Sequence, residues 1–331
     1  METISAVFGL RGLSARNEGE GGDLWIVLFW LRDQFDGDLA YLNGNYEAAA
    51  VAEFSAEARP VPRRPGALLV TFDDGYAEWA TVVGPQLERA GLRGIFFVTS
   101  DVIDNQSMLC PNKVSLALAA LARTAPDERE PLLSRARPLL ALPVDAPLGQ
   151  VVAAMHKLYA AHDLARTDRL LHSWGVSVSA YLETQAPFLT AAQIQDMARR
   201  GHVIGAHGID HRNLNVADPE ELQRQVVSSC ERIAAITGQR RVPFSFPYSM
   251  RLPVATLETL RSRHPVIGCM FGTAGIKPSP PGFVARIGAD WRHGIRHGSS
   301  NAGVLISNAY YVQARRALRG ALRGADIPAP S

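Results

Sequence analysis

Long apolar runs, charge of one sign and cysteine are all in short supply in this chain. The segment Leu24-Trp25-Ile26-Val27-Leu28-Phe29-Trp30-Leu31 is apolar for only eight residues, far from the ~20 that a membrane-spanning helix needs. It is predicted as a core strand or a buried helical turn. The 34 basic residues stand against 32 acidic ones, for a net charge of +2, so no strong field favours nucleic acid or a membrane surface. Three cysteines, Cys110, Cys230 and Cys269, are too few and too scattered for a disulfide framework or a cysteine zinc site. Cys230 falls on the apolar face of a predicted helix and reads as a buried free thiol. Met1 is followed by an acidic residue, and no basic segment precedes an apolar stretch. No secretory signal is therefore read, and the expected location is cytoplasmic. There is no internal repeat. The apolar share of 47% is that of a soluble globule. The 331 residues suffice for one barrel-like domain of about 200–250 residues with additions.

Two polar clusters at predicted strand ends carry the chemistry. Asp73 and Asp74, within Thr71-Phe72-Asp73-Asp74-Gly75, follow the apolar run Ala67-Leu68-Leu69-Val70, predicted as a buried strand bounded by turn residues. The adjacent carboxylates stand at the strand's C-terminal mouth and point in different directions, because strand side chains alternate. One can hold a metal while the other faces a substrate, and spacing alone permits either assignment. His207 and His211, within His207-Gly208-Ile209-Asp210-His211, follow a second short strand, Val203-Ile204-Gly205-Ala206. Asp-Asp-Gly alone is an ordinary turn sequence, and a lone His-x-x-x-His is a weak signal. Together, each at a strand end in an apolar setting, they point to one shared site. A carboxylate and two neutral imidazoles make an open zinc-type centre with positions left for water and substrate.

At these residues the chain resembles the polysaccharide deacetylase family, the NodB-homology or carbohydrate esterase family 4 group. Thr71 to Gly75 matches the family's first motif, T-F-D-D-G, without departure. His207 to His211 is similar to its second, H-[ST]-x-x-H, and Gly201-His202-Val203-Ile204-Gly205-Ala206-His207 resembles the stretch that leads into it. Phe244-Ser245-Phe246-Pro247-Tyr248 resembles its third in the F-x-Y-P-Y variant. The resemblance covers about residues 66–100 and 187–290. It implies a distorted (β/α) barrel, Asp73 as general base, Asp74, His207 and His211 as ligands of a divalent metal (zinc first, cobalt or nickel next), and the backbone N–H of Tyr248 as an oxyanion donor. Departures are visible. Gly208 replaces the family's Ser or Thr, whose hydroxyl braces the loop, so a looser loop is expected. Ser249 stands where the variant has Gly. No L-x-H motif follows residue 290 to supply the general acid, leaving His293 and His297 as candidates. Asp290-Trp291 resembles the fourth motif, in which an Asp tunes the partner of the base and a Trp lines the pocket.

The organisation follows from periodicity and punctuation. Residues 1–65 read as an N-terminal extension, with a loose arm over 1–23 and an Ala-rich helix from Glu47 to Glu57. A helix over 77–90 and a strand Gly94–Val98 set a strand–helix–strand rhythm, hence a parallel α/β sheet. From 101 to 187 that rhythm gives way to Leu/Ala/Arg-rich stretches cut by prolines. They read as an inserted helical subdomain above the strand's C-terminal end, where barrel active sites lie. His156, His162 and His172 inside it read as surface residues. Thr190 and Gln193 form a capping box, Asp218-Pro219-Glu220-Glu221 starts a helix, and Gly238 stops it. Strands follow near 242–246, 265–271 and 283–287, with a helix at about 253–262. The barrel spans 66–310. Residues 311–331 form a C-terminal helix and tail, with a helix over about 308–323 whose arginines form a solvated face. The functional expectation is a metal-dependent N-deacetylase acting on an N-acetylated amino sugar as a small molecule or glycan conjugate, with no nucleic acid partner and no transmembrane segment. An amidase or imidase of the same mechanism on a non-sugar amide, and a catalytically silent carbohydrate-binding scaffold, are the alternatives. Oligomeric state is not legible.

Overall fold

Short apolar segments flanked by capping residues become the strands and helices of one parallel α/β sheet. The computed structural model describes residues 32–48, 50–52, 54, 67–248, 250–272 and 282–286. Beside a small two-stranded sheet, the main sheet has six strands in chain order among the described residues: β1 Val70–Phe72, β2 Gly94–Val98, β3 Val203–Ala206, β4 Val242–Ser245, β5 Ile267–Gly272 and β6 Phe283–Ala285. Every neighbouring pair is parallel, so the chain returns through crossovers and all the C-terminal strand ends share one edge. β2 to β5 are buried at each position, as befits strands covered on both faces. The register slips between Val242 and Phe244, where Pro243 has no amide to give the ladder. The α/β class and the barrel-like parallel sheet expected from the sequence are thus present among the described residues.

Local signals set the helices. Thr190 and Gln193 cap the helix Ala191–Arg199 reciprocally. Asp218 accepts from the Glu221 amide at the start of Pro219–Thr237, and Gly238 ends that helix at φ 74. The expected helix over 77–90 is modified. Trp79–Val83 winds as a π-helix before Gly84–Arg89, and the Gly84 amide reaches back to the Trp79 carbonyl. Pro85, with no amide of its own, sits where the ladder widens.

Two expectations shift at the N-terminal side. A helix at Arg32–Asn45 sends Phe35 and Leu39 into the main core, a role its sequence did not announce. Glu47 and Ala48 do not begin a helix: they pair in parallel with Ala67 and Leu68. The arm over 1–23, the apolar segment 24–31 and the C-terminal helix lie outside the described residues.

Between β2 and Phe188 the described chain is helical. Cys110–Arg123, Glu130–Leu139, Leu148–Ala161 and Leu164–Ser173 surround an apolar cluster of their own, which includes Val114, Leu121, Met155, Leu171 and Trp174. Val178–Gln185 completes the set. The chain rejoins the barrel beside the first motif, where Ala77 donates to the Pro187 carbonyl at 2.9 Å and Tyr76 pairs with Phe188. Among the described residues no helix is long and apolar enough to cross a membrane.

Candidate metal centre

Backbone bends at the ends of β1, β3 and β4 aim the candidate residues at one another. Asp74, His211 and Tyr248 have φ of 84, 61 and 66, and non-glycine residues hold that region only where the surroundings over-determine it. Gly75 makes the first bend possible at φ 97, since a Cβ there would stand 2.8 Å from Val98 Cγ1. Asp74 Oδ1 then lies 3.4 Å from His207 Nε2 and 3.2 Å from His211 Nε2, and the three side chains offer ligand atoms within 4.8 Å of one another. Ligand atoms bound to one ion at about 2.0–2.1 Å in a tetrahedron sit roughly 3.4 Å apart, so the spacing fits a divalent cation. His207 Nδ1 lies 2.8 Å from the Ser245 carbonyl. Donation there, assigned from the hydrogen-bond network, leaves the Nε2 lone pair facing Asp74. His211 Nδ1 is buried without a hydrogen-bond partner.

Charge explains the titration of the group. Burial pushes the Asp74 carboxyl up, but the two imidazoles outweigh it and hold it well below the usual carboxylate range. Burial likewise opposes Asp73, and Arg286, followed by His207, brings it down. His207 loses solvation but is raised by Asp73 and Asp74.

Arg286 is the site residue that sequence reading missed. It follows β6 directly, and its Nη1 and Nη2 each lie 2.7 Å from an oxygen of Asp73. It also donates to Thr71 Oγ1 at 2.9 Å and Ser245 Oγ at 2.6 Å, and its head lies 5.2 Å from the Phe97 ring centre. Asp73 is therefore held by a fork, the strong form of a charge-assisted pair. The available signal was a charged residue at the C-terminal end of a barrel strand.

The loop between the histidines is braced, contrary to the looseness expected from Gly208. The buried Gln225 accepts from the Ile209 amide at 2.8 Å and donates to Asp210 Oδ1 at 3.0 Å. Ser100 and Asp101 donate to the Gly208 and Ile209 carbonyls at 3.0 and 2.9 Å. Gly208 itself has φ 80, and a Cβ there would meet Gln225 Oε1 at 3.2 Å, so a glutamine takes over the brace that a hydroxyl would supply. Arg212 forks onto Asp210 and pairs with Glu221 at 2.8 Å.

Tyr248, from the third motif, places its ring 5.2 Å from that of His211. Of the insertion's histidines, His172 is exposed, whereas both ring nitrogens of His162 are buried and Nε2 stands 3.7 Å from Asp210 Oδ2. Ser249, Asp290, Trp291, His293 and His297 lie outside the described residues. An open cavity of about 460 Å³ lined by Gln195, Arg199, His202 and Gln239 also borders Val203. It lies at the start of β3, at the opposite end of the strand from His207.

These features define a parallel α/β half-barrel with an Asp-His-His cluster at its C-terminal strand edge. The family read from the motifs is the family whose model matches the chain, polysaccharide deacetylase, over residues 137–262. That span is less than half of the chain. It contains His207, His211 and Tyr248 and stops short of Asp73, Asp74 and Arg286. The match supports a deacetylase, a hydrolase of an amide bond. No curated protein matches in sequence. Among solved structures, IcaB from Ammonifex degensii is 15% identical over 86% of this chain and 89% of its own, with a TM-score of 0.48. The Streptococcus pyogenes deacetylase PplD, solved with acetate, is 14% identical over 73% and 72%, with a TM-score of 0.43. A family 4 carbohydrate esterase from Bacillus anthracis is 14% identical over 83% and 85%, with a TM-score of 0.31. None of these three reaches a TM-score of 0.5.

Proposed function

We propose that this protein is a metal-dependent N-deacetylase that removes the acetyl group from an amino-sugar-containing small molecule or glycan conjugate. The observation that carries the reading is the approach of Asp74 Oδ1 to both imidazoles, at 3.4 and 3.2 Å, with a second carboxylate beside it. Asp74, His207 and His211 would hold the ion, and the mixed oxygen–nitrogen donor set suits zinc, with cobalt or nickel also acceptable. When bound, such an ion polarises the acyl carbonyl and lowers the pKa of water.

The chain's own groups supply the remaining chemistry. Asp73 stands 3.9 Å from His207 Nε2 and is committed to Arg286 at 2.7 Å, which supports the division taken from the family: Asp74 as ligand, Asp73 as base. Asp73 accepts the proton of the attacking water, Arg286 keeps that carboxylate ionised and fixed in direction, and the amine takes up a proton as the C–N bond breaks, a step for which His293 and His297 are the candidate donors. The Tyr248 backbone N–H donates to the oxyanion as the tetrahedral carbon forms; a removed donor of this kind costs about 10²–10³ in rate.

The test is acetate release from a panel of N-acetyl amino sugars and their conjugates, together with metal analysis. Purified protein should carry about one zinc, cobalt or nickel ion, and a chelator should abolish turnover while leaving the fold largely intact. His207→Ala and His211→Ala should lose metal. Asp74→Asn should weaken metal binding, whereas Asp73→Asn should retain it and lose about 10²–10⁴ in turnover. Full metal occupancy and full activity in either histidine variant would show that the ligand set is wrong. Turnover of simple amides alone would favour the non-sugar amidase, and metal-loaded protein inert toward every acetamide would leave a binding scaffold.

A further inference from the structure

The helices between β2 and Phe188 reach the candidate centre at three points. Tyr76, two residues beyond Asp74, donates its hydroxyl to Asn112 Oδ1 at 3.2 Å. His162 stands against Asp210, the residue before His211, at 3.7 Å. Tyr159, on the helix Leu148–Ala161, lies 6.0 Å from Tyr248 between ring centres, with the two rings tilted by 43°. The third contact bears on chemistry. Tyr248 is a bulky residue at φ 66, a conformation such a residue keeps only where its neighbours impose it. Its ring is flanked by His211 at 5.2 Å and by Tyr159. His211 is committed to the metal cluster. Tyr159 is different: its ring also packs against the apolar cluster of the inserted helices, so it is a rigid strut from that cluster to the third motif.

We propose that Tyr159 is a positioning residue for deacetylation, holding Tyr248 in its left-handed conformation so that the Tyr248 backbone N–H meets the acyl oxygen. The assignment deepens the proposed function and rests on it. It gives the inserted helices a part in the reaction itself, because the donor's direction depends on a side chain they supply. A backbone donor aimed by a strained φ is lost when the strain relaxes, without any change in the residues that hold the metal.

The test uses the full-length, metal-loaded protein and compares Tyr159→Phe with Tyr159→Ala. Loss of the hydroxyl alone keeps the ring against Tyr248 and should leave kcat close to wild type. Loss of the ring should lower it by about 10²-fold, the scale of a misdirected oxyanion donor. KM should stay within about twofold and metal content unchanged in both, a split that general loosening of the fold would not give. A crystal structure of Tyr159→Ala should show Tyr248 out of the left-handed region, and this readout needs no turnover. Wild-type protein inert on every N-acetyl substrate would overturn the functional reading, while the φ of Tyr248 would still decide whether Tyr159 positions it. Where Tyr159→Ala fails to fold, Tyr159→Leu, which keeps apolar bulk against the inserted helices and removes the ring, carries the kinetic test. Wild-type kcat in a variant that lacks the ring, loss of metal in step with activity, or Tyr248 unmoved without Tyr159 would each overturn the proposal.

Discussion

Replacing Arg286 by methionine removes the guanidinium while leaving an apolar stem of similar length beside Phe97. Two contacts to Asp73 at 2.7 Å disappear, along with those to Thr71 and Ser245. At an effective dielectric of ~20, opposite charges about 4 Å apart attract by ~4 kcal/mol. Removing one partner of a buried pair typically costs ~3–5 kcal/mol, because the other is left uncompensated. The Asp73 side chain is 29% exposed, so water recovers part of that, and a loss of roughly 2–3 kcal/mol at neutral pH is expected. The sign of the pH effect follows from Asp73 being held below its ordinary carboxyl range. Its contribution to stability is present above the unfolded value and is lost as pH falls through the folded one. The deficit of the variant should therefore be largest near neutrality and shrink in acid. In kcat/KM the acid limb should move to higher pH, and turnover should fall more at acid than at neutral pH. Urea unfolding at neutral and acid pH, alongside a pH–rate profile, measures both. Arg286→Lys keeps the charge and loses the fork, so it should fall between the two. An unmoved acid limb with wild-type stability would refute the claim that Arg286 governs Asp73.

Gln225→Leu should leave the helix Pro219–Thr237 in place but free the His207–His211 loop, weakening metal binding by about 10–100-fold; wild-type affinity in a metal titration would show that the backbone contacts from Ser100 and Asp101 suffice. Gly205→Ala would place a methyl group 2.3 Å from Phe97 Cδ1 and 2.8 Å from the Pro243 carbonyl. Overpacking of that kind costs about 1–3 kcal/mol or more, and a change below about 0.5 kcal/mol in chemical denaturation would mean that the sheet opens there at little cost.

What could be read from the sequence was whatever depends on near neighbours. Gly94–Val98 and Val203–Ala206 were legible as buried strands because short apolar runs between breakers have few other uses. The capping box at Thr190, the start at Asp218 and the stop at Gly238 were legible because a cap satisfies amides or carbonyls within four residues. Asp73, Asp74, His207 and His211 could be named because each pair sits immediately after such a strand, and in a parallel sheet those ends share an edge. Spacing could not say which carboxylate faces the imidazoles, since alternation fixes only that the two diverge, and only the family resemblance named Asp74. Tertiary structure made that choice by bringing Arg286 onto Asp73 across 213 positions and leaving Asp74 to the histidines. It likewise supplied Gln225 to a loop whose own residues lack a brace, and set Tyr159 against Tyr248. None of these pairings has a periodic or local signature. Each exists because distant segments are packed against one sheet edge, where burial makes an unpaired charge or polar group too costly to leave alone.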